Sequence, residues 1–154
     1  MTATNHSLTG ALIGLSIANP WLAVPIAFAS HFVLDAIPHF GFKGKLTDDE
    51  LLWRPAFKVL LAVEAILCFI IVVALWQTQP QHWSVAAICA FTAASPDLYS
   101  APRFFKVNGI THNEVKWNRF RRFHHAIQTE RVWGAGIELV WLIGTLSLFL
   151  TQLH

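Results

Sequence analysis

One stretch limits the fold more than any other. Residues 56–76 read AFKVLLAVEAILCFIIVVALW, with Lys58 and Glu64 as the only charges. About 20 apolar residues in a helix cover the ~30 Å hydrocarbon core of a bilayer. A helix that is apolar all round belongs either in the core of a large protein or in lipid. At 154 residues the chain offers little protein to bury it in. Composition points the same way: 55% of residues are hydrophobic and 13% charged, where a soluble domain carries about a quarter charged residues.

Four further apolar segments follow from the same reading. Residues 8–18 are too few to cross a bilayer unaided, and Asn19-Pro20 then marks a turn. Residues 21–37 complete a short membrane hairpin. Residues 83–95 form a shortened segment ending at Pro96-Asp97, and residues 132–152 form the last. The expected architecture is a single all-α domain over residues 1–154: a polytopic membrane helical bundle of about five membrane segments. One or two interfacial helices join it, starting at the capping boxes Thr47/Glu50 and Thr111/Glu114. Gly10 and Gly14, four apart, make a smooth stripe expected to face the helix bearing His31 and Asp35. The first thirty residues contain no Lys or Arg, so a basic signal-peptide n-region is not expected. Cys68 and Cys89 lie in apolar runs and read as small hydrophobes.

All eleven basic residues fall between positions 43 and 58 or between 103 and 131. Under the positive-inside rule both connectors are cytoplasmic, which puts the N-terminus inside and the C-terminus outside. Trp21, Trp53, Trp76, Trp83 and Trp133 lie at segment ends, as an aromatic belt requires.

Chemistry concentrates at the same side. In the run Ser30–His39, His31 and Asp35 are four apart and share a helix face. Pro38 disfavours helical geometry at Ile37, so His39 should hang just past the helix end. Two imidazoles and a carboxylate converging in an apolar segment suit a divalent metal, zinc above all. The plainer alternative is polar residues satisfying one another inside a bundle. His6, Asp97 and one or both of His124 and His125 reach the same level from other segments and complete the expected ligand set for one or two ions. His112 is a weaker candidate. Glu64 and Glu138 are acids within membrane segments, where an acid marks function or a pairing partner, and they are the expected proton-handling groups. The basic cluster Arg119, Arg121 and Arg122, with Lys116, suits anionic headgroups or a phosphate-bearing substrate better than nucleic acid.

Asn5-His6-Ser7-Leu8-Thr9-Gly10, the Ser-His-x-x-x-Asp at 30–35, the Pro-Asp at 96–97 and the His-His at 124–125 together resemble the bacterial inner-membrane family of membrane-bound metal-dependent hydrolases. The run His31, Asp35, Pro38 and His39 is similar to a motif of zinc-dependent phospholipase C and single-strand nucleases. The order differs from the family's, since here the Ser-His-x-x-x-Asp precedes the Pro-Asp. Leu98 and Tyr99 follow where the family has a further aspartate. The resemblance implies a metal-dependent hydrolase of the inner membrane, and a metal site beside Arg and Lys at headgroup level makes a phosphoester or phospholipid the expected substrate. Two other classes compete: a non-hydrolytic metal-binding or ion/proton transport protein, and a haem protein ligated through His31 and His125. The plain apolar outer half of every segment speaks against a transport path, and the clustered carboxylates speak against haem.

Overall fold

The computed structural model describes residues 1–41, 55–100 and 118–154. Among them are six α-helices: α1 (Ala3–Ser16), α2 (Pro20–Ala36), α3 (Pro55–Thr78), α4 (Trp83–Ser100), α5 (Arg119–Ile127) and α6 (Ala135–Gln152), the last preceded by a 3₁₀ turn, Val132–Gly134. No β-strand occurs among the described residues, apart from an isolated parallel bridge between His39 and Glu130. The Thr47/Glu50 and Thr111/Glu114 capping boxes, Trp53, His112 and Lys116 lie outside the described residues.

The all-α expectation holds, but the number of membrane segments does not. Two helices, not about five, are long and apolar enough to cross a membrane: Pro55–Thr78 and Val132–Gln152. The reason is length and composition. At 1.5 Å per residue, the 14 residues of α1 and the 17 of α2 reach only about 21 and 26 Å. In α4 the sequence Thr92-Ala-Ala-Ser-Pro-Asp97 dilutes the apolar run.

α1 lies at the centre, in contact with α2, α3, α4 and α6. Thr4 and Ser7 meet Glu64 and Cys68 of α3, and Thr9 meets Trp141 of α6, so α1, α3 and α6 run parallel. α2 and α4 run the opposite way. The core is small: Leu8, Ala11, Ile71, Leu75, Ala86, Ala90 and Phe149 form one buried cluster. Ala23, Ala27, Cys89 and Ala93 form another.

The Gly10/Gly14 stripe packs on α4, not on α2 as expected. A Cβ on Gly10 would come within 2.3 Å of the Cys89 carbonyl oxygen, and one on Gly14 within 2.4 Å of Ala86 Cα. α4 answers with its own small residues, so two backbones meet directly.

Pro96 does not end its helix; α4 continues to Ser100. A proline lacks the N–H that would bond the carbonyl four residues earlier. Here the Ser95 hydroxyl donates to that carbonyl, Thr92 O, at 2.8 Å. The repair keeps Asp97 on a helix. At Pro38, by contrast, the helix does stop: Ile37 takes an extended conformation, φ −73° and ψ 139°, as the residue before a proline should.

Candidate metal centre

The polar interior gathers where α1, α3 and α6 begin and α2 and α4 end. His31, Asp35, Asp97 and His124 each bring one donor atom into a group whose members all lie within 4.8 Å of one another. His31 Nε2 and His124 Nε2 are 2.9 Å apart. Asp35 Oδ2 lies 2.9 Å from His124 Nε2 and 3.2 Å from His31 Nε2. Donors held about 2.0–2.1 Å from a zinc ion are about 3.4 Å apart in a tetrahedron and about 2.9 Å apart in an octahedron. The three spacings fall in that range. Asp97 Oδ1 stands back at 3.8 and 3.7 Å from the two imidazoles, and its side chain is 33% exposed while those of His31 and Asp35 are fully buried. The group is therefore closed on three sides and open beside Asp97.

The protonation pattern also fits a cation. His31 Nδ1 lies 2.8 Å from the Ala93 carbonyl oxygen, which only accepts, so the ring proton is assigned to Nδ1. That leaves the Nε2 lone pair aimed into the group, the tautomer a carbonyl-braced metal-ligating histidine adopts. The donor set of two imidazoles and two carboxylates matches zinc or a similar divalent ion.

Four expected site residues are thus brought together. The others take different places. His6 lies on the far side of Asp35: its Nε2 is 3.1 Å from Oδ1, the oxygen turned away from His124. Its ring stacks on His31 at 3.9 Å between centroids. The Met1 amino group also lies against Asp35 Oδ1. His6 therefore orients the aspartate and backs the first imidazole. His39 does sit just past the end of α2 and is buried, with Nδ1 donating to the Ile37 carbonyl at 2.9 Å, outside the four-residue group. His125 is exposed, so of the adjacent pair His124 is the one that turns inward.

Glu64 and Glu138 meet the start of α1. Thr4 donates both its backbone N–H and its hydroxyl to Glu64 Oε2, each at 2.7 Å. The Thr2 N–H donates to Glu138 Oε1. A helix N-terminus presents unpaired N–H groups and a positive dipole end, so a carboxylate there is favourable. The two acids on the two most apolar helices thus have a structural task.

Arg121 donates to the Tyr99 carbonyl at 3.3 Å, and its guanidinium lies over the Tyr99 ring at 5.2 Å. Arg119 and Arg122 are exposed.

Two supporting groups carry no legible signal of their own, and a third shows only through one glycine. The Ala93 carbonyl braces His31. Phe32 seats α5 through Phe120, Phe123 and His124, with centroids 5.4–6.1 Å away. A backbone clip joins the tail of α2 to residues 129–131: Thr129 N donates to Asp35 O, His39 N to Thr129 O and Arg131 N to His39 O. Gly134 fits against it because a Cβ there would lie 2.4 Å from the His39 backbone. Only the glycine hints at this clip in sequence.

No protein-family model, curated protein or solved structure matches the chain.

Proposed function

We propose that this chain is a zinc-dependent hydrolase embedded in a membrane, acting on a phosphoester or phospholipid at the cytoplasmic surface of a bacterial inner membrane. The observation that carries the reading is the cluster of His31, Asp35, His124 and Asp97, tight on three sides and open at Asp97. A zinc site with four close protein donors is structural, whereas a catalytic one keeps a position for water. The recessed, partly exposed Asp97 favours the second kind. Zinc in such a site would supply Lewis acidity and would lower the pKa of water toward neutrality. Within the chain, His31, His124 and Asp35 would hold the ion, His6 and the Ala93 carbonyl would orient them, and Asp97 would face water and substrate. Glu64 and Glu138 fix the helix that carries His6.

Membrane embedding is supported by an exterior more apolar than the interior. Only 11% of the apolar window of α3 is buried, and Val59, Val63, Ile66, Phe69 and Ile70 face outward. The buried set instead includes Thr4, Asn5, His6, Ser7, His31, Asp35, His124 and Glu138. A soluble bundle has the reverse arrangement. The basic residues flanking the starts of α3 and α6 support, through the positive-inside rule, a cytoplasmic side for those ends, the site and the N-terminus. α4 then returns the chain across the bundle between them. A phosphoester is the favoured substrate class because Arg121 of α5 reaches Tyr99, two residues beyond the partly exposed Asp97.

The test is turnover. Purified protein loaded with zinc is expected to hydrolyse a member of a panel of phosphomonoesters, phosphodiesters and phospholipids, with activity abolished by Asp35→Asn and by chelation. Stoichiometric zinc without turnover on any class would leave the alternative, a non-hydrolytic metal-binding or transport protein.

A further inference from the structure

We propose that α5 docks on anionic lipid headgroups through Arg119 and Arg122, and that this docking tightens metal binding because the opposite face of the same helix carries His124. Successive residues on a helix step by about 100°, so Arg119 and Arg122 share one side, roughly opposite His124. Burial follows the geometry: His124 is 4% exposed, whereas Arg119, Arg122 and the flanking Phe123 are exposed. The helix reaches the bundle through α2, by Phe32 and by His124 against Asp35 and His31. Two exposed arginines beside an exposed aromatic match an interfacial helix on an anionic surface. Val33, next to Phe32 on α2, and Val132 and Trp133, a few residues past α5, also face outward, 63%, 45% and 64% exposed. In a bilayer these residues would face hydrocarbon beside the helix and leave headgroups at its arginines. A helix held against headgroups on one side is held in place to present His124 on the other, so lipid and metal share one conformational equilibrium. Linkage is then reciprocal: whatever factor anionic lipid adds to zinc affinity, zinc adds to the affinity for anionic lipid.

This inference rests on the metal-site reading, and one experiment separates the two. The full chain is reconstituted in nanodiscs of purely zwitterionic lipid, or with phosphatidylglycerol added, and zinc affinity is measured by chelator competition. The same is done for Arg119→Gln/Arg122→Gln and with inorganic phosphate added to the zwitterionic discs. Wild type is expected to bind zinc about tenfold more tightly in the anionic discs. The double variant should keep only the rise that surface potential gives any cation, and free phosphate should not substitute. An equal rise in wild type and variant overturns lipid docking while the metal site stands. An effect reproduced by inorganic phosphate assigns the arginines to a soluble anion and overturns it too. Absence of zinc binding in every disc removes the metal site and this linkage together.

Discussion

Asp35 divides its two oxygens between different neighbours, Oδ2 toward His31 and His124 and Oδ1 toward His6. The division makes His6 a positioning residue, since it acts on the site through Asp35 and through its stack on His31. Partners of this kind change metal affinity about 10–100-fold. His6→Ala is therefore expected to weaken zinc binding by that factor with stoichiometry retained, measured by chelator competition. An unchanged affinity would show that His6 does not hold the aspartate in place. The His31/Asp35 pairing was legible because a spacing of four fixes a shared helix face. So was the fall of His39 beyond the helix, because Pro38 acts on its immediate neighbour. The rank of His6 was not legible: whether a histidine meets a metal or its ligand depends on how two helices rotate against each other, and spacing says nothing of that.

At the level of elements, α1 is held from two directions. Glu64 and Glu138 receive its first N–H groups, and Gly10 and Gly14 let its backbone touch α4. The glycine pair was recognisable as a contact stripe, but its partner was misjudged, since any helix with small residues satisfies such a stripe. Ala86, Cys89 and Ala93 supply them on α4. The Pro96 stop was misjudged for a similar reason: a helix survives a proline when a nearby hydroxyl takes the freed carbonyl, as Ser95 does. Overpacking a close contact costs about 1–3 kcal/mol and more when backbone must move. Gly14→Val is thus expected to lower the thermal midpoint in detergent by at least several degrees. Gly136→Ala, with nothing within 4 Å of its Cβ position, should leave the midpoint unchanged or raise it. Equal behaviour of the two variants would contradict the α1–α4 contact.

For the molecule as a whole, the legible part was the long apolar run and the one-sided charge, which together forecast an all-helical chain with its chemistry at one end. The count of membrane segments was not legible. Five apolar stretches do occupy one bundle, yet three are too short or too polar to cross on apolarity alone, and they pack against neighbours. The result is a molecule with hydrocarbon-like faces on α3 and α6 and histidine and aspartate side chains inside. The most direct test of that account is elemental analysis of the detergent-purified chain beside His31→Ala and Asp35→Ala, each checked for retained helicity. The account predicts zinc or a similar divalent metal at about one ion per wild-type chain, and its loss from both folded variants. Full occupancy in either variant, or a metal-free wild-type protein that takes up no added zinc, would contradict it.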